Sequence, residues 1–128
     1  MSQSNPLDFD SLWDYSNPVQ TEIKFREVLK QIPETESAHL ELLTQIARTQ
    51  GLQRKFDEAH ETLNQVEKEL KEESKVKVRY LLERGRVFNS SKHPDKAKPF
   101  FEEAFELAKK LKEDNYAVDA IHMLAIVA

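Results

Sequence analysis

Apolar residues recur at steps of three and four along most of the chain, the spacing that places side chains on one face of an α-helix. Residues typical of helix ends, Pro33, Gly51 and Pro94, interrupt this pattern. The pattern predicts helices over about residues 18–32, 35–50, 54–72, 75–88, 94–111 and 114–128. The chain has only 2 Gly, fewer than the tight turns of a β-rich fold usually need. The sequence therefore predicts an all-α fold, with Gly51 ending the second helix and a loop over residues 89–93.

The first 17 residues differ from the rest because they mix acidic side chains with aromatic ones. Their apolar members are Leu7, Phe9, Leu12, Trp13 and Tyr15, which stand among three aspartates. We expect this segment to pack on the body of the protein, either as a short helix or as an extended arm. Asn17 and Pro18 then provide an N-cap and a first-turn proline for the first long helix. The sequence thus divides into an N-terminal arm, residues 1–17, and a helical body, residues 18–128.

The inward positions of the predicted helices repeat along the sequence. Three positions of the first helix recur after 38 residues and again after another 38, as Thr21, Ala59 and Ala97, then Phe25, Leu63 and Phe101, then Val28, Val66 and Ala104. A second series recurs after 38 and then 40 residues, as Leu43, Leu81 and Ile121, then Ile46, Arg84 and Leu124, then Ala47, Gly85 and Ala125. Two helices per period of this length are typical of an α-solenoid built from antiparallel helix pairs.

The residue types at these positions resemble the tetratricopeptide repeat. The best match is the unit formed by Leu81, Gly85, Phe88, Ala97, Phe101 and Ala104. Gly85 and Ala97 are small because adjacent helices cross closely there, and an aromatic ring fills the space beside them. The period exceeds the common ~34 residues by about one helical turn, as in longer-period bacterial members of the family. The resemblance implies a tetratricopeptide-like solenoid of about six helices, truncated in its last unit. An unrelated array of helical hairpins is the alternative.

Members of this family typically bind peptides in a concave groove lined by the first helix of each unit. The resemblance makes these residues candidates for a peptide groove: Thr44, Arg48, Arg79, Leu82, Glu83, Arg86, Asn89, Asp119, His122 and Met123. Arg48 and Arg86 hold equivalent places in successive units, so together they would bind the carboxylates of an acidic peptide bidentately. The alternative is that both pair with Glu83 and other local acids. The Lys, Asn and Arg clamp of chaperone-binding members is absent, which argues against a chaperone tail as ligand.

Composition and motifs argue against catalysis. The chain has no Cys, and its four His lack the i, i+4 spacing of a helical zinc pair, so we expect no metal. Residues 57–60 spell a helicase box, yet no glycine-rich phosphate loop accompanies them. We expect no enzyme and no cofactor.

Charge and hydropathy narrow the class of partner. The net charge is −4 and no element is markedly basic, which argues against nucleic acid. No apolar run approaches the ~20 residues of a membrane span, and no signal peptide is evident. We therefore expect a cytoplasmic protein without a membrane partner.

These expectations favour a non-catalytic scaffold that binds a protein or a peptide. The alternative is a regulatory sensor that binds a short peptide or small ligand in the groove and changes the curvature of the solenoid. The last predicted helix has apolar residues on most sides, and no partner helix follows it. Because such an apolar helix is rarely left uncovered, we expect that this chain is a fragment of a longer repeat protein or that it forms a homodimer through residues 116–128. A monomer whose last turn frays is the third alternative.

Overall fold

The computed structural model describes residues 8–128, and residues 1–7 of the predicted N-terminal arm lie outside the described residues. A short 3-10 turn, Phe9–Leu12, comes first. Six α-helices follow: α1 (Pro18–Leu29), α2 (Ser37–Leu52), α3 (Phe56–Glu69), α4 (Lys75–Ser90), α5 (Pro94–Leu111) and α6 (Asp114–Val127). Residues 8–128 contain no strand, and the predicted all-α fold is confirmed.

Several helix ends differ from the prediction, and α1 and α3 end at Leu29 and Glu69, before the predicted ends at residues 32 and 72. Gly51 does not end α2, because the helix continues past it and the chain turns at Arg54, which adopts the left-handed conformation with φ 64°. The predicted loop over residues 89–93 is also shorter, because α4 continues to Ser90 and the turn is made at Lys92, with φ 71°. Lys92 follows Arg54 by 38 positions, so the same turn recurs at the offset of the apolar pattern.

Local capping fixes where α1 and α4 begin. The side chain of Asn17 accepts a hydrogen bond from the backbone N–H of Gln20 at 3.2 Å. The hydroxyl of Ser74 accepts one from the backbone N–H of Lys77 at 3.4 Å. The start of α1 fixes where the N-terminal arm joins the body, and the start of α4 fixes the position of Arg79, which lies one turn into that helix.

Each helix packs on the next helix along the chain, while α2 also contacts α4, which in turn contacts α6. These three helices therefore lie side by side. We refer to the face that carries the following residues as the α2–α4–α6 surface: Glu41, Gln45, Arg48, Arg79, Glu83, Arg86, Tyr116 and Asp119. The largest fully buried side chains are Phe25, Phe101, Leu42, Ile46 and Leu63. Each contributes about 1.5–3 kcal/mol by leaving water.

Gly85 marks a close approach of α4 and α5. A Cβ atom at this position would lie 2.5 Å from Cε1 of Phe101, a ring that is 0% exposed. A Cβ atom at Gly51 would meet only Cγ2 of Val87, at an ordinary contact distance of 3.6 Å. A side chain at position 85 would therefore clash with Phe101, whereas position 51 has room for a methyl group.

We predict opposite outcomes for Gly85→Ala and Gly51→Ala. Gly85→Ala should lower the free energy of unfolding by about 1–3 kcal/mol, because the added methyl overpacks the crossing. Gly51→Ala should raise it by up to about 1 kcal/mol, because alanine has the higher helix propensity and meets no clash. Urea unfolding measures both. A Gly85→Ala variant as stable as wild type would contradict the close crossing.

Candidate functional site

The described part of the N-terminal arm, residues 8–17, folds back over the helical body. Phe9 is 2% exposed and meets the ring of Phe25 edge-on, with 6.2 Å between the ring centroids. Trp13 meets the same ring edge-on at 5.3 Å. Because Phe25 itself is 0% exposed, the two arm rings complete its burial on α1. Apolar packing thus places the arm, and its polar groups reach α2 and α4.

Arg79 on α4 is the main polar anchor of the arm. Its Nη1 and Nη2 atoms donate to the two carboxylate oxygens of Asp10 at 2.9 and 2.8 Å, a bidentate geometry. Nη1 also donates to Oε2 of Glu41 on α2 at 2.8 Å. Arg79 is only 6% exposed, and a buried charge without partners is very costly. The two carboxylates are therefore what permits this guanidinium to be buried.

Aromatic rings border the same guanidinium. The ring centroids of Phe9 and Tyr116 lie 6.0 and 5.3 Å from Cζ of Arg79. Burial by itself lowers the pKa of Arg79, but the hydrogen bond to Asp10 and the surrounding charges outweigh it, and the pKa lies above its ordinary value. Burial raises the pKa of Tyr116 to about 12, so its hydroxyl is protonated at neutral pH. We refer to Arg79, Glu41 and Tyr116 as the carboxylate slot. In this slot the guanidinium carries a fixed positive charge between the rings of Phe9 and Tyr116.

Trp13 makes the second polar contact of the arm with the body, and this contact is to α2. Its indole N–H donates to Oε1 of Gln45 at 3.0 Å. Gln45 is 0% exposed, and its Nε2 atom donates to Oε2 of Glu83 at 3.3 Å, which orients the amide oxygen towards the indole. The guanidinium of Arg48 lies over the rings of Trp13 and Tyr15, at 5.6 and 4.8 Å from their centroids. The body therefore contacts the indole both at its edge and over its face.

Glu83 lies at the centre of the α2–α4–α6 surface and is 3% exposed. Its Oε2 atom accepts from Nη1 of Arg86 at 2.8 Å, and its Oε1 atom lies 3.9 Å from Nε of Arg48. Arg86 also pairs with Asp119 on α6. Burial lowers the pKa of Arg86, but the charges of Glu83 and Asp119 outweigh burial and raise it. Of the two alternatives for Arg48 and Arg86, the structure has both arginines paired with Glu83, and Arg48 also contacts the arm.

These residues form one electrostatic unit, the arginine cluster, which consists of Arg48, Arg79, Arg86, Glu41, Glu83 and Asp119. Lys75 extends it, because its Nζ atom lies 3.6 Å from Oε2 of Glu41. Within the cluster three arginines stand against three carboxylates, and the half-exposed Lys75 lies at its edge. Asp10 of the arm adds a second carboxylate to Arg79.

The Asp10–Arg79 pair is open to solvent from the side of the arm. The side chain of Asp10 is 47% exposed, whereas that of Arg79 is 7% exposed. An open cleft of about 1120 Å³ lies beside Asp10, and its lining includes Glu41 and Tyr116 together with other acidic side chains such as Glu72. Arg79 does not line this cleft, so a second carboxylate reaches the guanidinium only when Asp10 moves away.

Half of the predicted groove residues meet in the arginine cluster, namely Arg48, Arg79, Glu83, Arg86 and Asp119. Thr44 and Leu82 do not face a groove, because they are 0% and 1% exposed. The Thr44 hydroxyl donates to a backbone carbonyl of its own helix at 2.5 Å, and Leu82 packs in the hydrophobic core. His122 is exposed, while Asn89 and Met123 are half-buried, with Met123 against the core.

Sequence reasoning missed Glu41 and Gln45, although the repeat contains the signal for both. Adding 38 to 41 gives Arg79, and adding 40 more gives Asp119, so these three charged residues hold equivalent positions on α2, α4 and α6. The first offset also takes Gln45 to Glu83. Equivalent positions on adjacent helices lie beside one another, which explains the contacts. The contribution of the arm has no such signal, because the arm belongs to no repeat.

Comparison of the chain with protein-family models, with curated proteins and with solved structures found no match. Within residues 8–128, no helix is both long enough and apolar enough to cross a membrane. In that same part of the chain, no group of three or more His, Cys, Asp or Glu side chains is arranged to hold a metal ion. The geometry of the arm and the arginine cluster therefore carries the functional argument.

We predict that Glu83→Gln lowers the free energy of unfolding by about 3 kcal/mol, because it removes the shared carboxylate of two largely buried arginines. Glu103→Gln is the matched control, since the Glu103 carboxylate is 56% exposed and pairs with Lys77 at 3.6 Å. Its effect should stay within about 0.5 kcal/mol. Urea unfolding of the two variants tests this, and equal effects would contradict a central role for Glu83.

Proposed function

We propose that this chain is a non-catalytic scaffold that binds an acidic peptide or protein segment on the α2–α4–α6 surface, within a tetratricopeptide-like solenoid. Three observations support the repeat architecture. The left-handed turns at Arg54 and Lys92 recur at the offset of the apolar pattern, and α2, α4 and α6 contact one another in order. The small residue at Gly85 against Phe101 fits the close crossing of such a helix pair.

The observation that carries the proposal is that this surface already holds a stretch of acidic peptide. Arg79 binds the Asp10 carboxylate bidentately, and Gln45 accepts the Trp13 indole N–H at 3.0 Å. Each body side chain also bonds to a neighbouring helix, Arg79 to Glu41 at 2.8 Å and Gln45 to Glu83 at 3.3 Å, so contacts other than the arm orient both of them. A prepared cation and a prepared acceptor lower the entropy that a peptide loses on binding.

The alternative function is a regulatory sensor for a short peptide or a small carboxylate ligand. It is favoured by the way Arg79 joins three elements, through Asp10 on the arm, Glu41 on α2 and Tyr116 on α6. A ligand that competes for Arg79 would alter the contacts among all three. A change in the small-angle scattering profile on binding would favour the sensor over the scaffold.

We predict that acidic peptides bind the full chain with an affinity that falls as salt rises, because part of the attraction is between exposed charges screened over ~8–10 Å. The probe is a labelled panel of twelve-residue peptides rich in Asp and aromatic residues, measured by anisotropy. Arg79→Met should weaken binding at least about tenfold, because it removes the guanidinium that binds the carboxylate. Lys24→Ala, at an exposed position on α1, is the control. Binding that is independent of salt and of Arg79 would contradict the proposal.

A homodimer through α6 is a further part of the proposal. Val118, Ile121 and Ile126 are 67%, 52% and 54% exposed on this helix. Leu81, which holds the equivalent position to Ile121 on α4, is 2% exposed because α5 covers that face. An apolar face of this kind favours coverage by a second copy.

We predict a concentration-dependent dimer in light scattering at micromolar protein. Ile121→Glu should give a monomer, because a buried carboxylate without a partner is costly. Val19→Glu is the matched control, since Val19 is 55% exposed on α1, away from α6. A wild-type chain that is monomeric at every concentration tested would contradict the dimer.

A further inference from the structure

We propose that the N-terminal arm is an internal ligand of the α2–α4–α6 surface, and that the partner peptide carries the same recognition pattern as the arm. That pattern is an aromatic residue followed directly by aspartate, with a tryptophan three residues after the aspartate, as in Phe9, Asp10 and Trp13. The proposal rests on the proposed function and names its ligand class and its regulation. The arm then competes with the partner for one site.

The carboxylate slot belongs to the body, and the arm only fills it. Arg79, Glu41 and Tyr116 come from α4, α2 and α6, so the guanidinium and the groups that orient it stay in the body when Asp10 is removed. Without Asp10 the guanidinium loses its bidentate partner and keeps the single hydrogen bond to Glu41. A carboxylate from a partner peptide would therefore restore the bidentate pair.

The aromatic positions are also set by the body. Phe25 on α1 is 0% exposed because Phe9 and Trp13 cover it, so a peptide that replaces the arm must bring rings to the same place. Gln45 is buried and accepts only a donor that points into the surface, which the indole N–H provides. Because a phenyl ring has no such donor, the position favours a ring that carries an N–H or O–H group, and the indole of Trp13 meets this requirement.

Besides the N-cap of α1, the polar attachments of residues 8–17 to the body come from three residues, Asp10, Trp13 and Asp14. The backbone N–H of Asp14 donates to Oγ1 of Thr21 at 3.1 Å, and the Thr21 hydroxyl donates to the Asp14 carbonyl at 3.1 Å. Its outer side is open, with Tyr15 55% exposed. A segment held in this way can leave the surface while the helices stay folded.

Tethering decides which ligand occupies the site. The arm is joined directly to α1, so its effective concentration at the slot is in the millimolar range or above. A free peptide with the same contacts binds weakly until the arm is weakened. Because the arm competes for the site, only a partner of high affinity displaces it.

The test uses the full chain and a fluorescein-labelled peptide of residues 8–17. Phe9→Ala/Asp10→Ala weakens the arm and leaves the body unchanged, so it should bind the peptide at least about tenfold more tightly than the wild-type chain does. The emission of Trp13, the only Trp in the chain, should shift to the red in this variant as the arm is released. Asp8→Ala is the arm control, because Asp8 is exposed, and it should behave as wild type.

Two altered peptides define the specificity. A peptide with Asp10→Asn should bind the loosened variant at least about tenfold more weakly, because it loses the charge in the bidentate pair. A scrambled peptide of the same composition should not bind. Asp10→Asn in the full chain is the milder second variant, which keeps the apolar contacts of the arm, and it should show a smaller gain in peptide affinity.

Three outcomes would overturn the inference. In the first, the loosened variants are folded by circular dichroism yet bind the scrambled peptide as well as the native one. In the second, they bind other acidic peptides but not residues 8–17, which leaves the proposed function standing; binding of no peptide at all would remove both. In the third, weakening the arm converts a wild-type dimer into a monomer, which would mean that the arm occupies the slot of a second copy.

Discussion

The burial of one guanidinium, that of Arg79, organises the rest of this molecule. Arg79 is 6% exposed, and a cation buried this far is stable only when carboxylates pair with it. Its partners are Glu41 on α2 and Asp10 on the N-terminal arm. The pairing joins elements that are 69 and 38 residues away from Arg79 in the chain. Through it, the position of the arm depends on the packing of α2 against α4. The site and the fold are thus coupled by one side chain.

The cluster also explains why polar residues are tolerated at the junction of three helices. In the row of equivalent positions Glu41, Arg79 and Asp119 the charges alternate: Glu41 pairs with Arg79 on the next helix, and Asp119 pairs with Arg86, one turn further along α4 from Glu83. Such pairs contribute little net stability compared with apolar packing, but removing one member leaves an uncompensated charge. We infer that the row fixes which helix lies beside which, while the apolar core supplies most of the stability.

The sequence predicts the helices and part of the site, because both follow from local periodicity and from the spacing of equivalent positions. Helix periodicity is local, so the six helices are predicted to within a few residues; α1 and α3 end earlier than predicted, and α2 and α4 end later, at turns where Arg54 and Lys92 adopt positive φ without glycine. The candidates Thr44 and Leu82 were misplaced because a shift of one position on a helix turns a side chain by 100°, from surface to core. The arm could not be placed, since its contacts with α4 depend on long-range packing that has no period.

The coupling energy between Asp10 and Arg79 tests most directly whether this pair holds the arm. A double-mutant cycle with Asp10→Ala and Arg79→Met, followed by urea unfolding, isolates that energy from the individual costs of the two changes. Because the carboxylate of Asp10 is half exposed, we expect a coupling energy of about 1–2 kcal/mol, which is smaller than that of a fully buried pair. A coupling within about 0.3 kcal/mol of zero, with both single variants folded, would contradict the account.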